Sequence, residues 1–174
     1  MASDTKNVKI GVCKIFLDGV DLGFTKGGVE VSVQTETHKV QIDQFGKTPI
    51  NEYIMGRSVN IKVPLAETTL ENLAATMPGA TLVRGANNIP TRVDVPVGVG
   101  QNLLDFAKPL TLHPIGKADG DTSEDFVVPL AATAGALSFA YKLEDERVFN
   151  VEFNGYPDSN GKLFSVGTQA AVAP

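Results

Sequence analysis

Apolar and polar positions alternate along most of this chain with the period of two that a half-buried β-strand requires. Val8, Ile10 and Val12 open the first such run, predicting a strand over Val8–Leu17 whose phase is lost at Cys13. Asp18-Gly19 is a hairpin signal, and Val20, Leu22 and Phe24 carry the chain back. The longest alternation covers Val29–Asp43, where Val29, Val31 and Val33 oppose Glu30, Ser32 and Gln34. Val40 and Ile42 fall on the other parity, which predicts a bulge or bend near Glu36–His38. Val59, Ile61, Val63 and Leu65 then alternate with Ser58, Asn60, Lys62 and Pro64. Pro64 cannot donate to a ladder, so it is expected near the strand's end or at an edge. The period changes once. Thr68 and Glu71 match a capping box, and Leu70, Leu73, Ala74 and Met77 form the stripe of a short helix, Thr69–Met77, stopped by Pro78-Gly79. Further strands are predicted at Thr81–Arg84, Arg92–Val99, Leu103–His113, Phe126–Pro129, Leu137–Leu143, Arg147–Phe153 and Lys162–Val166. Asp158–Gly161 reads as the turn between the final pair, and the tail TQAAVAP as loose. Many strands with one covering helix predict a mainly β fold, a β-sandwich or flattened barrel with one short flanking α-helix. No repeat or boundary divides residues 1–174, so a single domain is expected.

Between the two best-patterned strands lies a stretch without clean alternation, an extended loop at about 43–57. A connection of that length in a compact domain has a function or is disordered. This one carries Phe45, Pro49, Ile50, Tyr53, Ile54 and Met55, apolar enough to need a surface to lie against. Gly46 and Gly56 sit near its two ends, where a chain leaving and rejoining a sheet needs backbone freedom. Two readings are open: the loop folds back on its own core, or it is an arm that packs on another subunit.

Composition narrows the function classes. A formal net charge of −5 weighs against a surface built to hold nucleic-acid phosphates. The single cysteine, Cys13, excludes an internal disulfide and fits synthesis in the cytosol. The opening MASDTKN lacks a basic region followed by an apolar run, and no apolar run is long enough for a membrane helix, so a soluble, unexported protein is expected. Catalytic residue types are scarce. Cys13 with His38 or His113 is the one conceivable thiol–imidazole pair, but Cys13 lies in an apolar strand where a free cysteine is an ordinary core residue. Those three residues cannot close a tetrahedral zinc site without a carboxylate. Gly46-Lys47-Thr48 has Gln41 where a phosphate loop needs its first glycine. Gly155 to Gly161-Lys162 has one residue too many, and Leu163 in place of the hydroxyl. The acids Asp119, Asp121, Glu124 and Asp125 resemble half a calcium loop without its glycine and its bidentate glutamate. No catalytic residue, cofactor site or metal site is therefore expected. What remains is the polar side of the long strands, with Glu30, Ser32, Gln34 and Glu36 on one and Asn150, Glu152 and Asn154 on another. Such a face is by default a solvent face; it could also line an aqueous channel if several copies closed into a ring.

Leu17-Asp18-Gly19, Gly28-Val29-Glu30, Asp43-Gln44-Phe45-Gly46, Pro49-Ile50, Gly56, and Leu65-Ala66-Glu67 running into Leu70-Glu71-Asn72-Leu73 resemble, in order and spacing, the tail tube proteins of long-tailed bacteriophages. The similarity is greatest to those of non-contractile, flexible-tailed (siphovirus-type) phages. It covers roughly residues 10 to 80, and the remainder is similar only in strand pattern. The order and spacing of the pieces together carry the resemblance. The resemblance implies a virion protein, assembled in the host cytoplasm, that forms hexameric rings stacked into a hollow tube for genome ejection. It implies that Asp43, Gln44, Phe45, Gly46, Pro49, Ile50, Tyr53, Ile54 and Met55 form an inter-subunit loop. Glu30, Ser32, Gln34, Glu36 and Glu152 are candidates for the channel wall. The implied partners are further copies of the chain, a tape measure protein in the channel during assembly, and the tail-tip or initiator and terminator proteins. Double-stranded DNA passes through without specific binding, and neither a membrane nor a cofactor takes part. The tube subunit of a contractile tail or type VI secretion machine shares the implied fold. A β-sandwich binding module, for example for carbohydrate, is the reading from another class. The chain has no tryptophan and only Tyr53, Tyr141 and Tyr156 for an aromatic platform, which weakens it.

Overall fold

The computed structural model describes residues 3–5 and 8–168. Most of the MASDTKN stretch and the tail beyond Thr168 lie outside the described residues. The strands are β1 (Cys13–Leu17), β2 (Val20–Asp21), β3 (Glu30–Val40), β4 (Asn51–Leu65), β5 (Thr81–Arg84), β6 (Pro90–Asp94), β7 (Lys108–Pro114), β8 (Phe126–Thr133), β9 (Phe149–Tyr156) and β10 (Ser165–Val166). One short helix, α1 (Leu70–Thr76), follows β4. The fold is thus mainly β with one flanking helix, as the alternation predicts.

The main sheet is antiparallel in the order β2-β1-β7-β8-β9-β4-β3, with β10 pairing β8 beside that path and β5-β6 forming a separate hairpin. Asp18 and Gly19 both take positive φ, 54° and 76°, the backbone that a two-residue turn needs to match the twist of β1 and β2. Past β2 the chain turns along the far end of β4. There the Ala66 N–H donates to the Phe24 carbonyl at 2.8 Å and the Lys26 N–H to the Pro64 carbonyl at 3.1 Å. Those bonds join the β1-β2 side of the sheet to β4 and close a flattened barrel, which covers an edge that would otherwise be open. Of the strands along that order, β3 is the one left outside the closure, paired on one side with β4.

Residues of one parity fill the inside. Val59, Ile61, Val63 and Leu65 of β4 meet Phe149, Val151 and Phe153 of β9 and Ile15, Leu17, Leu110, Leu112 and Val128 across the barrel. These aliphatic and aromatic side chains leave water together, at about 1.5–3 kcal/mol each.

Helix α1 differs from its expected cap and stripe. The N-cap is Thr69, whose hydroxyl accepts the Asn72 N–H at 3.1 Å, so the box starts one residue later than Thr68 and Glu71 suggest. Thr68 instead accepts from the Arg147 guanidinium. The most buried helix residues are Asn72 and Thr76, not the apolar stripe, although Leu73 does pack on the core. The Asn72 amide donates to the Leu22 and Glu67 carbonyls, each at 2.8 Å, and so ties the helix to the closure of the barrel. Asn72→Ala leaves two carbonyls without that donor. We expect it to destabilise by about 1–3 kcal/mol, read by urea unfolding.

Several predicted strands are shorter or missing. Residues 8–12 precede β1 without pairing in a strand, and Val8, Ile10 and Val12 are exposed. β6 ends at Asp94, because Val95, Val97 and Val99 have no neighbouring strand to pair with among the described residues. Leu103–Phe106 is a 3-10 turn ahead of β7. Leu137–Leu143 is a loop whose one ladder contact is the Ser138–Asn150 bridge. Alternation marks what could form a strand, but a strand also needs a partner.

Candidate assembly surface

The stretch expected as a loop at 43–57 is in large part β-strand. β4 begins at Asn51, and its first half pairs only with β3, from Arg57 opposite Thr35 to Asn51 opposite Val40. β9 joins β4 only from Val59 onward. Residues 35–57 therefore form a two-stranded arm reaching about 25 Å past the last strand contact with the barrel. Its tip is a 3-10 turn, Asp43–Phe45, ended by Gly46 at φ 61° and ψ −129°, a conformation essentially restricted to glycine. Gly56 needs no such freedom; it lies beside the irregularity in the arm.

That irregularity lies where the parity change places it, between Glu36 and Thr37, but the extra residue is Met55 on β4. β3 itself keeps its alternation. Val40 consequently stands on the Glu36 and His38 side, opposite to Val31 and Val33. Both sides of the arm are uncovered, so nothing forces its apolar residues onto one of them. Phe45, Ile50, Tyr53, Ile54 and Met55 are all exposed, Met55 by 69%. The arm does not fold back on its own core. Asp43, Gln44 and Pro49 lie in the same exposed tip.

The five channel-wall candidates share one face. Glu30, Ser32, Gln34 and Glu36 alternate along β3, and register carries the row on through Lys62 to Glu152 and through Asn60 to Asn154. Lys62 Nζ lies 3.5 Å from Glu30 Oε2, and the Asn60 amide donates to Glu152 and to Asn154 (3.0 Å). Lys62 and Asn60 belong to the polar set of the β4 alternation, yet only cross-strand register puts Lys62 between Glu30 and Glu152, and Asn60 in the next row between Ser32 and Asn154. They temper a face that the sequence alone makes look acidic. On the other side of β3, Val31 and Val33 are 38% and 43% exposed although their β4 partners Ile61 and Val59 are buried. The outer edge of β3 has no strand beside it among the described residues.

Because β4 runs from the arm toward Leu65, and Leu65 pairs with Phe149 and bridges Thr25, the other end of the barrel holds Phe24–Lys26 and loop 139–147. The Arg147 guanidinium lies over Phe139, Tyr141 and Phe149 at 5.9, 5.6 and 5.7 Å from their ring centres. Lys26 bonds both Asp145 and Glu146, which push its pKa up to about 12. A raised lysine pKa contributes order that is complete below about 10.5 and lost as pH rises through about 12. We expect Lys26→Gln to speed proteolysis within residues 139–147 while shifting Tm by no more than about 2 °C, since the pair is exposed.

The chemistry-bearing residues do not converge. Cys13 packs toward the core opposite Pro114, whereas His113 pairs with Lys14 on the other face of the sheet. Burial pushes the Cys13 thiol up. His113 Nδ1 lies 2.7 Å from Asp125 Oδ1 in a buried pair, and His38 sits out on the arm. The acidic run is taken up by bases: Asp119 by Lys14, Asp121 by Lys117, and Glu124 by Lys9 and Lys117. No family model matches this chain, and no curated protein does.

Proposed function

We propose that this protein is a structural subunit that polymerises as stacked rings into a hollow tube, in the manner of the phage tail tube proteins its N-terminal half resembles. The observation that carries the reading is the arm, a well-formed hairpin whose apolar tip is left exposed by the described residues. The open outer edge of β3, eleven residues long, supports it, since ring closure onto a neighbouring copy would cover an edge that invites pairing. In this reading the face bearing Glu30, Ser32, Gln34, Glu36 and Glu152 lines the channel. A wall without a basic excess offers little counterion release, so double-stranded DNA slides instead of binding. The activity is mechanical, and the natural site is the virion tail.

The test is negative-stain electron microscopy of the concentrated protein, with sedimentation of the same sample. Rings or hollow tubes support the reading. A protein that stays monomeric even after preformed tail initiators are added overturns it and leaves the binding-module alternative.

A further inference from the structure

We infer that residues 134–148 form a strap that closes one end of the barrel and lifts from it as a single body, uncovering a second open strand edge. The inference does not rest on the tube reading. β8 pairs with β9 from Leu130 opposite Tyr156 to Thr133 opposite Phe153, and there β8 ends. Phe149–Glu152 therefore have β4 along one edge and, among the described residues, a single bridge along the other, between Ser138 and Asn150. The Asn150 N–H and its side-chain amide both donate to the Ser138 carbonyl, each at 3.3 Å, which is long for such bonds. A loop laid over a strand edge is a common way to keep that edge from pairing. Here the cover is held by little backbone bonding.

Side chains do most of the fastening. At the start of the strap Gly135 (φ 77°) lies against the end of α1, so that a Cβ there would meet Pro78 Cδ at 3.0 Å. Leu137 packs on the core, and the Phe139 ring lies 5.3 Å from that of Phe149 in an edge arrangement. Farther along, Asp145 and Glu146 bond Lys26, whose own N–H donates to the Pro64 carbonyl at the closure of the barrel. Arg147 donates to the Thr68 hydroxyl at 2.7 Å and lies over Phe139, Tyr141 and Phe149. That stack joins the first half of the strap to the second, so loosening one half disturbs the other. Tyr141–Glu146 between them are exposed, and a segment with so few buried contacts opens at lower free energy than the ladder beneath it. The Lys26 pairs are exposed and therefore screened by salt, whereas the ring contacts are much less so. Ionic strength thus acts on one fastening selectively.

Amide exchange of the full chain, read by NMR, tests this, because three consecutive residues report separately. The Asn150 N–H points to the strap, and those of Phe149 and Val151 alternate to the β4 side. In the unaltered protein we expect Asn150 to exchange about threefold to tenfold faster in about 1 M than in about 0.05 M sodium chloride, with Phe149 and Val151 unchanged. Lys26→Gln should exchange fast at Asn150 in both. Thr68→Val, which removes the hydroxyl that Arg147 holds, should also speed Asn150 but keep the salt dependence. If Lys26→Gln leaves Asn150 unaltered while loop 139–147 is cut faster by protease, only the outer residues fray, and the single body is overturned. Equal acceleration of all three amides would mean that the barrel itself opens, and overturns it as well. So would an Asn150 amide that exchanges at the unprotected rate in the unaltered protein, since no strap would then be closed.

Discussion

Replacing residues 37–55 by an Asn-Gly turn between Glu36 and Gly56 should leave a folded barrel that no longer assembles. The excised residues contribute nothing to the core, whose first β4 member is Val59, and Glu36 already faces Gly56 across the ladder. Asn-Gly is the two-residue connection that such a pair favours. Removing exposed residues away from the core changes stability by about 0.5 kcal/mol, or about 2 °C in Tm for a chain of this size. Assembly should fall below detection in sedimentation and electron microscopy at concentrations where the full chain polymerises. A loss of more than about 10 °C in Tm would make the arm part of the folding unit. Tubes formed without the arm would remove it from the interface.

The second large effect belongs to Gly155→Val. Gly155 lies in β9 against the buried side chains of Val59 and Val128, and a Cβ there would approach Val59 Cγ1 to 2.2 Å and Val128 Cγ1 to 2.9 Å. Neither valine has a free rotamer to retreat into, because each is branched at Cβ and packed in the core. Overpacking by one methyl costs about 1–3 kcal/mol, and the added branches of valine take it to the top of that range or beyond. Against a total stability of about 5–15 kcal/mol, this is a large share. Urea unfolding should show the midpoint falling or no folded baseline at all. Gly56→Ala is the matching control, since nothing lies within 4 Å of its added Cβ and its φ is ordinary. It should be close to neutral; a similar loss in both variants would mean that strand glycine is needed for its backbone and not for the room it leaves.

Much of this architecture is legible in the chain. The alternation Val59, Ile61, Val63, Leu65 names one face of the core correctly, and Phe149, Val151, Phe153 names the face it meets. The Asp18-Gly19 turn and the Pro78-Gly79 stop also follow from local chemistry. Residues 51–57 were harder, because both sides of that strand are exposed and the bulge at Met55 shifts its phase, which erases the period-two signal. Val95–Val99 fails in the opposite sense, showing a strand pattern where no partner strand runs among the described residues. The channel-wall candidates could be placed on a common side of β3 from sequence. That Glu152 lies in line with Glu30, with Lys62 between them, could not.

By itself the sequence determined which side chains share a face, where the chain turns, and that the fold is mainly β with one helix. These depend on backbone geometry over two to four residues, which composition and spacing report directly. The tertiary structure alone decided which strands are neighbours, which faces are covered, and which ends of the barrel the arm and the fastened loop occupy. The Thr25–Leu65 closure, the Asn72 tie to Leu22 and the Arg147 clamp on Thr68 each join residues 40 or more positions apart. No local pattern encodes such pairs, because they form only when the whole set of strands has found a common core.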